Sequence, residues 1–216
     1  MVRAYLVFPA MLLLAACDAV MPTIKGSGVS KTEVRPVEKF TAIDLSGIGH
    51  LAIERSATDS LTITADDNLI SFFTSEVKNG TLYLSVANGK IVSGKVEYKV
   101  TVSDLRSLDI SGVGGVDAVG LDGDALLIST SGVGSGRLAG RADMLTISAS
   151  GVGSIDAGGL KAKRAKVTVS GTGSVTVNAS DELDATVSGV GTIWYIGSPK
   201  LKSSVSGVGS VKQKAM

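Results

Sequence analysis

The sequence predicts an all-β protein: a right-handed parallel β-solenoid (β-helix) with coils of 18–20 residues and a less regular N-terminal half. Three observations carry this prediction. A Ser-Gly-Val-Gly tetrad recurs at near-constant spacing. Apolar residues alternate with period two on either side of it. The composition is rich in Gly, 27 of 216 residues, with 4% aromatics and 4 Pro, which suits a thin core of Val, Ile, Leu and Ala. Collagen needs Gly at every third position and much more Pro. Disorder is at odds with 44% hydrophobic and 19% charged residues. The net charge of +1 leaves no electrostatic footprint for nucleic acid. A single Cys excludes an intrachain disulfide and a Cys-based metal cage.

Residues 1–16 carry one cation, Arg3, followed by an apolar run too short to cross about 30 Å of hydrocarbon as a helix. The segment reads as a secretory signal peptide. It ends Leu14-Ala15-Ala16-Cys17, which resembles the bacterial lipobox. That resemblance implies cleavage before Cys17 and lipidation of Cys17, several acyl chains on one residue being enough for a firm membrane anchor. Asp18 resembles the inner-membrane retention signal of enteric bacteria. The expected location is therefore the cell envelope, anchored on the periplasmic side of the inner membrane or in the outer membrane. Residues 17–32, with Pro22, Gly26, Ser27, Gly28 and Ser30, read as the lipidated Cys and a flexible tether. The domain is expected over 33–214.

Residues 33–110 are β-rich and irregular. Thr41, Ile43 and Leu45 precede an outlying tetrad at Ser46 in inward phase, and Leu61–Thr64, Leu82–Ser85 and Val96–Val100 alternate. Asn79-Gly80 signals a hairpin turn. This half is either irregular coils or a small sheet capping the solenoid, whose open end would otherwise be a sticky edge.

From residue 111 the repeat governs. Tetrads start at Ser111, Ser131, Ser150, Ser170, Ser188 and Ser206, in steps of 20, 19, 20, 18 and 18. Five residues before each Ser from Ser131 onward stand Leu126, Leu145, Ala165, Leu183 and Leu201. Three before stand Ile128, Ile147, Val167, Ala185 and Ser203. After the Gly pair, Val116, Ile155, Val175, Ile193 and Val211 fall in inward phase. Each repeat is therefore one coil of three short strands with Gly at the corners, buried by stacking at about 4.8 Å. The tetrad Ser is placed to hydrogen-bond across the corner or to its copy in the next coil. Lys212, Gln213 and Lys214 are the expected gatekeepers of the far end.

Arg35-Pro36-Val37-Glu38-Lys39-Phe40-Thr41-Ala42-Ile43 with Ser46-Gly47, then Asp66-Asp67-Asn68-Leu69-Ile70, Asn79-Gly80-Thr81-Leu82 and the Ser-Gly-Val-Gly repeats, give the chain a family likeness. It resembles the autotransporter-adhesin head GIN domain proteins, often bacterial lipoproteins, from about residue 33 to 212. The resemblance implies a β fold, an envelope location and adhesion. It transfers no catalytic residue.

The chemistry is sparse. The only His, His50, stands in a column otherwise filled by Gly115, Ser135, Ser154, Ser174, Thr192 and Ser210, and reads as a surface substitute. One His and one Cys exclude His-rich zinc sites and Cys-His catalysis. No Gly-x-Ser-x-Gly elbow and no phosphate-cradling Gly loop before a helix occurs. Gly-Asp turns at Asp117 and Asp156 come near a calcium-solenoid pattern, but the Asp is one residue late and Arg137, Thr176 and Trp194 stand there elsewhere. Asp122 and Asp124 read as a solvated turn, Asp66–Asn68 as a turn cap, Trp194 as a sugar platform if exposed and Tyr195 as core. No catalytic residue, metal or cofactor is expected.

The reading that follows is a non-enzymatic, adhesin-like envelope lipoprotein offering a rigid surface to a polymer such as a glycan, or to a protein. The alternatives are a structural or stress-related periplasmic lipoprotein without a ligand, and a carbohydrate-active β-helix enzyme. The candidate binding face is a pair of hydroxyl files: Ser129/Ser131, Ser148/Ser150, Thr168/Ser170 and Thr186/Ser188. Partners are the membrane and a glycan or protein ligand, with no nucleic acid. The sequence leaves the oligomeric state open.

Overall fold

The structure is a computed structural model that describes residues 23–87 and 92–215. The signal segment and Cys17 lie outside the described residues. Seventeen strands run in chain order: β1 Ile24–Lys25, β2 Ser30–Arg35, β3 Ala42–Leu45, β4 Ile48–Arg55, β5 Ser60–Asp66, β6 Phe73–Lys78, β7 Thr81–Val86, β8 Val92–Ser93, β9 Val96–Val102, β10 Ser107–Ile110, β11 Val113–Thr130, β12 Val133–Ala149, β13 Val152–Val169, β14 Thr172–Val187, β15 Val190–Ile196, β16 Lys200–Val205 and β17 Val208–Gln213. A 3-10 turn, Ile70–Phe72, lies between β5 and β6. Fifteen strands form one continuous sheet wound into a parallel β-solenoid.

The coils stack in the register of the tetrads. Val113 pairs Val133, Val133 pairs Val152, Val152 pairs Thr172, Thr172 pairs Val190 and Val190 pairs Val208, all parallel. The expected three short strands per coil are in fact single strands of 16–18 residues that bend through the corners without losing their ladder. The length differences between coils are absorbed away from the tetrad, at register shifts such as Ala118/Leu121 and Ala157/Lys161. The tetrad corner tolerates no such slack, because its backbones touch. A Cβ on Gly151 would lie 2.0 Å from the carbonyl oxygen of Gly132 in the coil below. Gly153, the second Gly of that tetrad, has φ +149° and would meet Gly134 in the same way.

Inward files fill the core as the alternation predicts. Leu126, Ile128, Leu145, Ile147, Val167, Leu183, Ala185, Val116, Val175 and Ile193 are buried. Gly136 interrupts the file Val116–Gly136–Ile155. It helps line an apolar cavity of about 40 Å³ inside the corner.

The N-terminal half is both coil and cap. β3 and β4 form a true coil beneath β10 and β11, pairing Ile43 with Leu108 and Leu51 with Val116. The 65-residue gap between the first two tetrads is an excursion that extends both faces of the stack. β7 pairs β3 and carries the antiparallel strand β6, while β9 pairs β4 and carries antiparallel β5, then β2. The β6–β7 turn is the expected hairpin, with Asn79 at φ 51° and Gly80 at φ 74°. Order begins earlier than the boundary placed near residue 32: β1 pairs β8, and β2 starts at Ser30.

The opposite end carries no such cap among the described residues. Leu201 and Val205, inward by phase, are 40% and 45% exposed, with no further coil stacked on them among the described residues. The expected gatekeepers lie in the last parallel ladder, where Lys212 and Gln213 pair Trp194 and Tyr195. Lys212 Nζ lies 5.8 Å from the Trp194 ring centroid, Gln213 Nε2 donates to the Gly197 carbonyl at 2.8 Å, and the Lys214 N–H donates to the Tyr195 carbonyl at 2.8 Å.

Candidate functional site: two outward faces of the stack

The tetrad corner separates two outward faces. On the face leading into the corner, Ser129, Ser148, Thr168 and Thr186 are in register, with Ser204 beyond and Asp109 and Asp44 before. Ser131, Ser150, Ser170 and Ser188 form the adjoining exposed file. Parallel pairing brings these eight residues together as expected. Among these side chains only Ser150 hydrogen-bonds within the protein, its Oγ donating to the Thr130 carbonyl at 3.2 Å. The backbone ladder already satisfies the corner, so the hydroxyls remain free. At the acidic end of the file, partial burial and then the adjacent Asp109 charge push the Asp44 carboxyl above its ordinary value.

The face leading out of the corner carries three files. Exposed Val113, Val133, Val152, Val190 and Val208 stand in the first, with Thr172 between them. The second is the small-residue column His50, Gly115, Ser135, Ser154, Ser174, Thr192 and Ser210. The third runs Ala52, Asp117, Arg137, Asp156, Thr176, Trp194, Lys212. The small middle file leaves a polar trough of about 340 Å³, lined from His50 and Asp117 to Ser174 and Thr176. The inter-coil hydroxyl contacts expected of the tetrad serines occur here, between Ser154 and Ser174 at 3.0 Å and Thr192 and Ser210 at 3.4 Å. His50 is the surface residue its column predicts. Gly115 leaves room for its ring, and Nε2 lies 3.3 Å from Asp117 Oδ2 with both side chains nearly half exposed. Asp156 Oδ1 accepts the Gly158 N–H at 3.0 Å, whereas Arg137 forms no ion pair with either neighbouring carboxylate. The sequence named this column only as a near-calcium pattern. Its concavity comes from Gly115 and the serines, a signal visible only once the files are aligned. Among the described residues no group of three or more His, Cys, Asp or Glu is placed to hold a metal ion.

Two readings are corrected. Asp122 is not a free solvated turn: Arg55 Nη1 at 2.8 Å and Arg141 Nε at 2.7 Å clamp it across three coils, and the Arg141 hydrogen bond holds its carboxyl below the ordinary range. The Asp67-Asn68 pair does not cap the 3-10 turn, which has no side-chain cap. Instead Asn68 Oδ1 accepts the Ser27 N–H at 2.9 Å and Asn68 Nδ2 donates to the Lys25 carbonyl at 2.9 Å, pinning the segment before β2. Tyr195 packs against the core as expected, and Trp194 is partly exposed.

No helix among the described residues is long and apolar enough to cross a membrane. A comparison with curated proteins finds no match. The structure is similar to that of a "putative adhesin" from Bacteroides fragilis, with TM-score 0.74 and 30% identity over 88% of this chain and 100% of that one. A "putative adhesin" from Parabacteroides merdae, with TM-score 0.55 and 22% identity over 89% of this chain and 99% of that one, shares the fold. So does a "putative lipid binding protein" from Parabacteroides distasonis, with TM-score 0.54 and 22% identity over 90% of this chain and 100% of that one. The sequence profile of the family described as "Putative auto-transporter adhesin, head GIN domain" matches residues 39–199, which takes in the capping strands from β5 onward and every coil but the last, and the chain belongs to that family.

Proposed function

We propose that this chain is a non-enzymatic cell-envelope lipoprotein, anchored through Cys17, whose solenoid presents a rigid repeating surface for adhesion to a polymer or a protein. The observation that supports the reading most is the pair of hydroxyl files. Seven exposed or half-exposed hydroxyls, unbonded within the protein, are held in register on strands whose backbone is fully engaged by the coils above and below. A surface of this kind makes many weak contacts that sum over an extended ligand. It carries no activated nucleophile and no paired acid and base, which suits binding rather than turnover.

The test has two arms. In cells, the full chain should partition with membranes and carry acyl mass on Cys17, and Cys17→Ser should leave it unprocessed or soluble. Cells displaying the wild-type chain should adhere to surfaces that cells displaying Thr168→Lys/Thr186→Lys do not. Unchanged membrane partition of the Ser variant without acyl mass refutes the anchor. Equal adherence of the two displayed chains refutes the hydroxyl face.

A further inference from the structure

We propose that the trough on the other side of the tetrad corner is a second binding site, and that it takes a neutral linear polysaccharide lying along the solenoid axis. The site is distinct from the hydroxyl lattice, and four features define its ligand.

The first is alternation. Asp117, Arg137 and Asp156 occupy one file at successive coils, about 4.8 Å apart, giving acceptor, donor, acceptor along the axis. Arg137 is exposed and makes no ion pair, so its guanidinium N–H groups face the trough unspent. A polyanion would meet two carboxylates and a polycation the guanidinium. A polyol offers a donor and an acceptor on every hydroxyl and satisfies both.

The second is the floor. Ser135 Oγ has no protein partner, and the bonded pair Ser154–Ser174 still has lone pairs to offer. The third is the apolar wall: Val133 and Val152, 51% and 54% exposed, stand two residues earlier on the same strands and suit the C–H faces of a sugar ring. The fourth feature excludes an extended peptide. A peptide strand docks by pairing with free backbone groups at a sheet edge, and here the strands are paired on both sides by neighbouring coils, so only side chains are on offer. From His50 through Gly115, Ser135 and Ser154 to Ser174 the trough covers four coil steps, about 19 Å.

The probe is a panel of linear hexasaccharides, the β-1,4-linked hexaoses of glucose, xylose, mannose and N-acetylglucosamine with the α-linked hexaoses of glucose, and a hyaluronan hexasaccharide as the polyanion. Each is titrated into the purified full chain by calorimetry. Trp194, the only Trp in the sequence, stands one coil beyond Thr176 in the same file and reports by fluorescence. At least one neutral hexaose should bind saturably and perturb Trp194. Arg137→Ala/Asp156→Ala should weaken it by about tenfold or more, the scale of hydrogen bonds to charged groups. Lys163→Ala, an exposed variant paired only with Asp143, should bind as wild type. Should the double variant melt early, Arg137→Gln keeps the aliphatic stem and loses the charge and the guanidinium fork, and the same loss is expected. The proposal is overturned if no neutral hexaose binds, if hyaluronan binds in preference, or if binding survives the trough variants. It is also overturned if binding is lost only in Thr168→Lys/Thr186→Lys, which would leave the hydroxyl lattice as the one binding face.

Discussion

Filling the gap at Gly136 should stabilise the protein, although the glycines of the tetrads around it tolerate no side chain. Gly136 belongs to an inward file between Val116 and Ile155, and a Cβ there would find only the Val116 carbonyl oxygen, at an ordinary 3.8 Å. The neighbouring cavity measures about 40 Å³, which at about 24 cal/mol per Å³ represents about 1 kcal/mol of lost packing. Gly136→Val places a β-branched side chain in a strand interior and removes backbone freedom from the unfolded chain, worth about 0.4–1 kcal/mol. Rotamer freezing costs about 0.5 kcal/mol in return. The net expectation is about 1–1.5 kcal/mol of added stability. For a domain of this size that raises the melting temperature by about 2–6 °C. Thermal unfolding followed by far-ultraviolet circular dichroism and by calorimetry reads the change. A melting temperature at or below wild type would refute the inward assignment of Gly136 and the cavity beside it.

Gly151→Val should destabilise by about 3 kcal/mol or more. Its Cβ would collide with Gly132 and force apart the corner bonds from the Gly151 and Val152 N–H groups to the Thr130 and Gly132 carbonyls, at 3.1 and 3.0 Å. Gly158→Ala, whose nearest neighbours are all side-chain atoms, should cost clearly less in the same melts. Tyr98→Phe should be neutral or stabilising by about 1 kcal/mol, because the Tyr98 hydroxyl is buried without a partner, and a loss above that in denaturant titration would argue against the assignment. Asp44 binds its proton more tightly in the folded than in the unfolded chain, so stability is lost as pH rises from its ordinary value of 3.8 through the raised one. Asp44→Asn should therefore be more stable than wild type at neutral pH and indistinguishable below that window, as urea titrations across pH would show.

The coils were legible because each physical constraint repeats. A Gly pair is needed wherever two corners touch, and the period-two alternation marks which side faces in, so Leu145, Ile147 and Ile155 could be placed from spacing alone. The cap was not legible. The antiparallel pairing of β5 with β9 and β2 joins segments whose alternation suits any β partner, and nothing local says that residues 56–106 leave the stack and return. The hydroxyl lattice was readable residue by residue, but not which serines bond to each other: that depends on side-chain direction at the corner, and the inter-coil pairs fell to Ser154–Ser174 and Thr192–Ser210. The trough needed three columns aligned at once, and Arg55, 67 residues before Asp122, gave no sequence sign of its part in the clamp.

The central claim is that register, repeated from coil to coil, turns single weak contacts into a surface for an extended ligand. The measurement that tests it most directly is affinity against chain length for the neutral oligosaccharide that binds best, from disaccharide to hexasaccharide and beyond. Affinity should climb with each added sugar until the ligand spans the trough, about 19 Å, and then level off. A disaccharide that binds as tightly as the longer chains would place all the binding energy in one coil and contradict the account.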